Sequence, residues 1–433
     1  MFQPMLPPFR RHLDVLPSGL RLVTIELPHL HTATVVMYAR VGSRYEDDAD
    51  NGLSHFLEHM LFRGTARYPD AYLINNAIEE LGGTLYAETG RDYSLYQLSL
   101  HPETLAPGIA LFGEIFSAPV FQGIEVERRI ILEEILEDLD EEGRDINIDD
   151  LARATVFPDH PLGYKITGPY ANVERFDDAD VRRHFVRCYG ARNMVLTVAG
   201  ACQRDGVLAE VARAVGEIPA GTELNFSPPA ALREGPRFSY VPNQGSQTSL
   251  QVLFRALPET SSDFPAQQVL ARVLDDGLST RLHRRVCDEL GLAYYVSASV
   301  ESFCDSALFE IDATSAHANA APLLRESLTL LADLCERPPT EAELAKAQRR
   351  YRWDLESTFD DPDAMAGWWG GGELFHRPLP FEEKIARIEA VSANDVVRVA
   401  REVFQRRHLT IAAVGLLEPR QERELQALAH QFR

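Results

Sequence analysis

Two histidines and a glutamate form the strongest chemical signal in the sequence. His55, Glu58 and His59 have the order His-x-x-Glu-His. Residues four apart on a helix lie one turn apart, with about 5–6 Å between their Cβ atoms, so both imidazoles can bind one metal ion. Glu58 comes directly before His59, where its carboxylate can reach a water molecule at that metal without being a ligand. The pattern therefore fits a metal ion and a general base.

A helix is predicted to hold these side chains. Apolar residues recur at helical spacing across the motif, namely Leu53, Phe56, Leu57, Met60 and Leu61. The alternative is an amphipathic core helix that carries two incidental histidines and a solvent-exposed glutamate. The motif alone leaves both interpretations open.

An acidic helix is predicted over residues 125–142, and it could supply a third ligand. At 100° per residue, Glu127 and Glu134 fall within about 20° of each other and are flanked by isoleucines. Burying carboxylates on such a surface is unfavourable unless a metal ion or hydrogen bonds compensate. The periodicity leaves two neighbouring carboxylates open as alternatives, Glu133 and Glu137.

Charge and length narrow the class of protein. The chain has 433 residues and a formal net charge of −22. Nucleic-acid binding requires clustered lysine and arginine, so no nucleic-acid partner is expected. Acidic residues lining a cavity would favour basic peptides. The length is typical of two domains of about 200 residues each.

The sequence shows no clear signal for export, membrane insertion or disulfides. Residues 1–12 carry prolines where a signal peptide needs an apolar run, and no later segment approaches the roughly 18 uninterrupted apolar residues of a membrane span. The five cysteines are widely spaced and include no Cys-x-x-Cys pair. We therefore expect reduced thiols, no membrane association and a cytoplasmic location.

Strands and helices are predicted on both sides of the motif. Strands are expected at 20–27, 34–41, 84–87 and 93–100, with helices at 70–81 and 102–116. The glycine-rich segment 368–372 is predicted to be a loop or hinge, because it lacks the Gly-Lys-Ser/Thr of a phosphate-binding loop.

The two halves of the chain repeat one pattern. A helix at 177–188 and a strand at 194–200 recur near the C terminus at a constant offset of 215 positions. The matching positions are Asp180 and Asp395, Val181 and Val396, Tyr189 and Phe404, Arg192 and Arg407, Met194 and Leu409, and Gly200 and Gly415. Residues 219–236 are predicted to be the linker between domains 1–218 and 237–433. The second half lacks His-x-x-Glu-His, so a single metal site is expected.

The residues around the motif resemble a known family. Residues 52–65, Gly-Leu-Ser-His-Phe-Leu-Glu-His-Met-Leu-Phe-Arg-Gly-Thr, contain the inverted zinc-peptidase (inverzincin) signature. With its flanks, this segment closely resembles the M16 (pitrilysin) metallopeptidases. It looks most like the short-chain branch that includes mitochondrial processing peptidase. Segments 276–282 and 291–294 are also similar to that branch, so the resemblance covers essentially the whole chain.

The resemblance implies a fold and an activity. The fold is α+β, with two tandem homologous domains that are each a mainly antiparallel β-sheet packed with helices. The activity is that of a zinc endopeptidase acting on peptides or unfolded segments, with one Zn²⁺ per chain and Glu58 as general base. The alternative is a non-catalytic structural or peptide-binding subunit, as degenerate relatives can be. The intact motif and its glutamates argue against that alternative.

The resemblance also implies roles for individual residues. Glu134 follows His59 by 75 positions, about the family's separation, and would complete the zinc site with His55 and His59. Glu127 matches a glutamate that supports the site from behind the ligands. Further residues would contact substrate, namely Tyr86 and Ala87 in the strand to which the peptide adds, and Arg281 and Tyr294 in the second half.

Two departures from the family bear on substrate and partner. Tyr86 stands where asparagine is usual, and Cys287 stands where many bacterial relatives have an arginine that acts with the tyrosine at 294. Longer relatives fold four similar domains into a clamshell, so this chain is expected to form a homodimer, or a heterodimer with a related M16 chain. In a homodimer, a nearby arginine would replace the missing one, with Arg281, Arg284 and Arg285 as candidates.

Overall fold

The computed structural model describes residues 9–232, 234–375 and 378–432. These residues form two compact units. The first lies within Met1–Ile135, Tyr164–Phe226 and Asp354–Pro380, and the second within Leu136–Gly163, Ser227–Trp353 and Phe381–Arg433. Each half of the chain thus contributes one segment to the unit built mainly from the other half. The expected domains 1–218 and 237–433 do not include this exchange. Residues 1–8, which belong to the segment expected to lack a signal peptide, lie outside the described residues.

The strands are numbered in chain order. They are β1 Arg10–Val15, β2 Arg21–Glu26, β3 Ala33–Ala39, β4 Thr84–Thr89, β5 Ser94–Leu100, β6 Met194–Gly200, β7 Arg237–Pro242, β8 Thr248–Ala256, β9 Val296–Ser302, β10 Ala307–Ser315 and β11 Leu409–Gly415.

The helices are numbered in the same way. They are α1 Leu53–Leu61, α2 Ala71–Glu80, α3 Leu105–Ser117, α4 Ile124–Glu137, α5 Ile148–Val156, α6 Tyr170–Arg175, α7 Asp178–Cys188, α8 Arg204–Val215, α9 Phe264–Leu274, α10 Arg281–His283, α11 Ala320–Glu336, α12 Glu341–Ser357, α13 Pro362–Ala366, α14 Gly372–Leu374, α15 Phe381–Glu389, α16 Ala393–Val403 and α17 Pro419–Gln431.

Each unit contains one mixed sheet. The order in the first unit is β1-β2-β6-β3-β5-β4, with β2 and β6 parallel and the other neighbours antiparallel. The order in the second is β7-β11-β8-β10-β9, with β7 and β11 parallel and the rest antiparallel. Five strands therefore follow the same arrangement in both units, and β1 is an additional strand in the first. The predicted α+β class with two repeated, mainly antiparallel sheets is confirmed.

The core of the first unit fixes the metal-motif helix. Strands β3 and β6 are buried along their whole length, as expected for apolar runs covered on both faces. In α1, Phe56, Leu57, Met60 and Leu61 are fully buried. These apolar residues hold the helix against the sheet. The orientation of the polar residues between them follows from that packing.

Most predicted elements are confirmed, and two predictions are wrong. Helix α4 ends at Glu137 instead of residue 142, because Asp140 accepts backbone N–H bonds in a turn that continues to Gly143, whose φ is +74°. Residues 367–371 form a π-helical turn instead of a loop. A Cβ on Gly370 would lie 2.0 Å from Thr197 Oγ1, so its lack of a side chain permits close packing on the sheet.

In the second unit, α5 covers the sheet through a buried arginine. Arg153 donates to Gln251 at 3.0 Å, to Glu301 at 2.8 Å and to Glu310 at 2.7 Å. The guanidinium is thus held by strands β8, β9 and β10, since a buried cation needs such partners. This network explains why residues 148–156 belong to the second unit.

No helix in the described ranges is long and apolar enough to cross a membrane. All five cysteines lie in the described residues, and none of them forms a disulfide, as predicted.

Candidate metal centre

The N terminus of α1 is held by a buried carboxylate. Glu46 accepts the backbone N–H of Ser54 at 2.6 Å, the backbone N–H of Gly52 at 3.0 Å and the Asn51 side-chain amide at 3.1 Å. Burial raises the pKa of Glu46, and the hydrogen bonds oppose that rise. These bonds pair N–H groups that have no partner within the helix, and they fix the direction in which α1 leaves the sheet.

Glu46→Gln is expected to lower the free energy of unfolding by about 1–3 kcal/mol, because one carboxylate oxygen becomes an amide that faces another donor. Thermal unfolding of the zinc-loaded protein measures the change. Glu79→Gln is the matched control, since Glu79 is exposed on α2 and its loss should change stability by less than about 0.5 kcal/mol. Equal effects in the two variants would show that Glu46 does not hold α1.

Three side chains converge where α1 meets α4. His55 Nε2 lies 3.5 Å from Glu134 Oε1, and His59 Nε2 lies 3.8 Å from Glu134 Oε2. The two imidazole ring centres are 4.9 Å apart. One ligand atom from each residue can be chosen so that all three lie within 4.8 Å of one another. No other such group of histidine, cysteine or acidic side chains occurs in the described part of the chain.

The donor set fits a zinc ion. Tetrahedral Zn²⁺ has bonds of roughly 2.0–2.2 Å to nitrogen and oxygen, which places its ligand atoms about 3.4 Å apart. The distances from Glu134 to His55 and His59 are close to that value. Burial, together with the neighbouring His59, lowers the pKa of His55 to about 3. His55 is therefore neutral at physiological pH, which is the form that binds a metal.

Glu127 orients the second histidine. His59 Nδ1 lies 3.0 Å from Glu127 Oε2, and Arg63 Nη1 lies 3.1 Å from the other carboxylate oxygen. Burial alone would lower the pKa of His59, but the hydrogen bond to Glu127 and the nearby carboxylates of Glu134 and Glu58 raise it. This contact turns Nε2 toward Glu134, as a carboxylate behind a ligating histidine does.

Glu58 lies beside this group without joining it. Its carboxylate accepts a hydrogen bond from Thr89 Oγ at 2.5 Å, and Thr89 is buried at the end of β4. Burial raises the pKa of Glu58, the bond from Thr89 opposes this, and the negative charge of Glu134 adds to it. A raised pKa suits a carboxylate that takes up and releases a proton.

A cleft of about 330 Å³ opens next to these residues. Its lining includes Glu58 and His59 from α1, Glu127 from α4, and Leu85 and Ala87 from β4. Strand β4 is the outer strand of the sheet, so its outer backbone groups have no neighbouring strand in the described residues. A small cleft beside a strand edge can accept a side chain of an extended peptide.

The alternatives for the third ligand lie elsewhere on α4. Glu133 and Glu137 are both exposed, whereas Glu134 is half-buried against the histidines. The helix period placed Glu127 and Glu134 on one face, and the structure brings both of them to His59. It does not bring the two alternatives to the metal group in the described residues.

The residues predicted to contact substrate fall into two groups. In the first unit, Ala87 lines the cleft, and Tyr86 is exposed on the opposite face of β4, where its hydroxyl donates to Glu88 at 2.9 Å. In the second unit, Tyr294 is 97% exposed. Arg281 is bound by Glu343 at 2.7 and 2.9 Å. That pairing uses two nitrogens of the guanidinium, so Arg281 does not offer a free fork to a substrate.

The other candidate arginines are also paired with carboxylates. Cys287 lies half-buried in the π-helical turn Arg284–Glu289. Arg284 Nε donates to Glu289 at 2.9 Å, and Arg285 Nε donates to Glu326 at 2.8 Å. Neither side chain is a ready replacement for an arginine at position 287.

The chain thus has two repeated α+β units, and the first carries clustered histidine and carboxylate side chains that could hold a metal ion. Residues 21–170 match the family model described as insulinase (peptidase family M16), and residues 175–351 match the peptidase M16 inactive domain. The chain belongs to the M16 peptidase family.

Known relatives are similar over nearly their full length. An uncharacterized zinc protease of Streptomyces coelicolor is 30% identical over 420 residues, covering 95% of this chain and 90% of the relative. The mitochondrial-processing peptidase subunit beta of Blastocladiella emersonii is 30% identical over 423 residues, covering 93% and 88%. The crystal structure of a protease from Helicobacter pylori has a TM-score of 0.86 at 20% identity, covering 95% of this chain and all of that chain. That last similarity concerns the fold.

Proposed function

We propose that the chain is a zinc-dependent endopeptidase that hydrolyses peptides or unfolded segments, with one zinc ion bound by His55, His59 and Glu134. The convergence of these three side chains beside the half-buried carboxylate of Glu58 is the observation that carries the proposal. When bound there, zinc would polarise the scissile carbonyl and make water more acidic. The family's zinc-protease relatives support this metal.

Glu58 does the proton chemistry in this mechanism. Its carboxylate takes a proton from the attacking water and gives it to the leaving amine as the peptide bond breaks. Thr89 holds one carboxylate oxygen, which leaves the other free to face the water. Backbone groups of β4 pair with the extended substrate, and Ala87 leaves room for it at the cleft.

Incubation of the zinc-loaded chain with a peptide library, followed by mass spectrometry, tests the activity. We expect internal cleavage that is abolished by a chelator and restored by zinc. Failure to cleave any peptide at full zinc occupancy would contradict the proposal and favour a non-catalytic subunit.

Thr89→Val is expected to lower kcat by about tenfold, since a hydrogen bond to a charged group contributes roughly 1.5–3 kcal/mol. KM should stay within about twofold, because the substitution changes a side chain that contacts Glu58, whereas β4 is proposed to bind the peptide through its backbone. Thr89→Ser keeps the hydroxyl and should restore most of kcat. Steady-state kinetics measures both, and equal losses in the valine and serine variants would refute the positioning role.

We further propose that the enzyme acts as a two-chain assembly whose second chain supplies an arginine. A relative is named as a subunit, and Arg281, Arg284 and Arg285 are each bound by glutamates of the second unit. Light scattering gives the assembly state, and peptide cleavage is assayed before and after Cys287→Arg. A gain of activity in a homodimer supports the missing-arginine proposal. A fully active homodimer that the substitution does not affect would refute it, and a fully active monomer would refute the assembly.

Localisation in the cytoplasm stays a prediction.

A further inference from the structure

The outer strand of the first sheet presents two different faces. Along β4, Leu85 and Ala87 face the cleft at the metal centre. Because side chains alternate along a strand, Tyr86 and Glu88 lie on the opposite face, and both are exposed. The peptidase mechanism uses the first of these faces and leaves the second without a role.

Tyr86 and Glu88 form a polar pair on that face. The Tyr86 hydroxyl donates to Glu88 Oε2 at 2.9 Å, and the Tyr86 side chain is 51% exposed. The hydrogen bond fixes the carboxylate beside the aromatic ring and leaves its second oxygen available. Across the described residues, Glu88 has no ion pair with a basic side chain, so its charge is not neutralised within the unit.

We propose that Tyr86 and Glu88 form a subsite for a lysine or arginine side chain of the peptide substrate. This inference rests on the proposed peptidase function. A carboxylate accepts hydrogen bonds from an ammonium or guanidinium group, and an adjacent tyrosine ring attracts the same cation through its π face. The pair therefore offers two contacts that suit a basic side chain, whereas an acidic one would be repelled.

The geometry of strand addition brings such a side chain within reach. A peptide paired with β4 places every second side chain on the face of Tyr86 and Glu88, with directly opposed Cβ atoms about 4.5–5.5 Å apart. The remaining side chains point toward the cleft. The preference for a basic residue should therefore appear only at every second position of the peptide, counted from the scissile bond.

A second carboxylate adds negative charge to this face. Ser99 is paired with Thr84 in the register of β4 and β5, so it lies on the same face as Tyr86. Its hydroxyl donates to Asp363 at 3.4 Å. The face that carries Tyr86 and Glu88 therefore also carries Asp363.

In this arrangement, Tyr86 has a role in binding a basic side chain of the substrate. An asparagine at position 86 would have no aromatic face for a cation. Its shorter side chain also could not hold Glu88 in the same way.

The test compares peptides that differ at one position near the cleavage site, carrying arginine, lysine, glutamine or glutamate. For the zinc-loaded full chain, we expect kcat/KM to be about fivefold higher for the arginine or lysine peptide than for the glutamine peptide. This difference should occur at one or more of the positions whose side chains lie on the face of Tyr86 and Glu88. Raising the salt concentration should reduce this ratio. Binding of the same peptides to the inactive Glu58→Gln protein, measured by calorimetry, should show the same order.

Substitutions at Tyr86 and Glu88 test whether these two residues cause the preference for a basic side chain. Glu88→Gln should bring the arginine-to-glutamine ratio close to one, and Tyr86→Asn should reduce it. Glu217→Gln removes an exposed carboxylate that follows α8 and should leave the ratio as in the wild type. Zinc content checks that each variant retains its metal centre.

The possible results distinguish failure of the subsite from failure of the peptidase activity. Cleavage without a basic preference, or a preference that survives in Glu88→Gln, would overturn the subsite while leaving the peptidase proposal intact. Failure of the wild type to cleave any peptide would overturn the peptidase proposal and, with it, the subsite.

Discussion

Replacing Glu58 with glutamine is expected to reduce peptide hydrolysis by about 10²–10⁴-fold, the usual effect of losing a general base. Glutamine has nearly the same shape and can still accept the bond from Thr89, but it cannot take up a proton from water. Because Glu58 lies outside the group formed by His55, His59 and Glu134, zinc content and the thermal midpoint should change little. Kinetics and elemental analysis of the same sample measure both effects.

A matched substitution controls for the loss of negative charge near the site. Glu133 is exposed on α4, and Glu133→Gln should leave turnover within about twofold of the wild type, as expected for a surface change. If Glu58→Gln retains near-normal turnover, another group activates the water and the mechanism is wrong.

Removing Glu134 is the second change with a large expected effect. Loss of a residue behind a metal ligand typically weakens metal binding by about 10–100-fold, so loss of the ligand in Glu134→Ala should weaken zinc binding by more than about 100-fold. Glu127→Gln should weaken zinc binding by only about 10–100-fold, because Glu127 affects the metal centre through His59. Competition with a chromophoric chelator measures these affinities.

The neighbouring glutamate supplies the control. Glu133→Ala removes a carboxylate one position away that does not face the histidines, and its zinc affinity should equal that of the wild type. Zinc lost from Glu133→Ala and retained by Glu134→Ala would reverse the assignment of the third ligand.

Periodicity was sufficient to predict the elements that carry the site. The apolar spacing from Leu53 to Leu61 predicted α1, and the same apolar residues bury it. The offset of 215 positions matched β6 with β11, which occupy equivalent places in the two sheets. In α4, the 3.6-residue period placed Glu127 and Glu134 together. It could not choose among Glu134 and its neighbours, because that choice depends on which face of α4 packs against α1.

Other features depend on contacts between residues distant in sequence. Thr89 meets Glu58 across 31 positions, and Glu46 reaches Ser54 over a loop. Neither residue has a motif or spacing that reveals its partner. The strand expected at residues 84–87 stopped short of Thr89, which the structure places at the end of β4.

No local sequence pattern predicts the exchange of segments between the two units either. Residues 148–156 are amphipathic like many helices, and their assignment to the second sheet follows from the partners of Arg153. The glycines at 367–371 suggested a loop by composition. Their role became visible only from the close approach of Gly370 to Thr197.

The zinc content of the purified chain tests whether His55, His59 and Glu134 form a zinc site. Elemental analysis should find about one zinc per chain, since the described residues contain one group of suitable ligands. The His55→Ala, His59→Ala double variant, which removes both nitrogen ligands, should contain almost none after the same purification. Stoichiometric zinc persisting in the double variant would contradict the account, because the metal would then be bound by other residues.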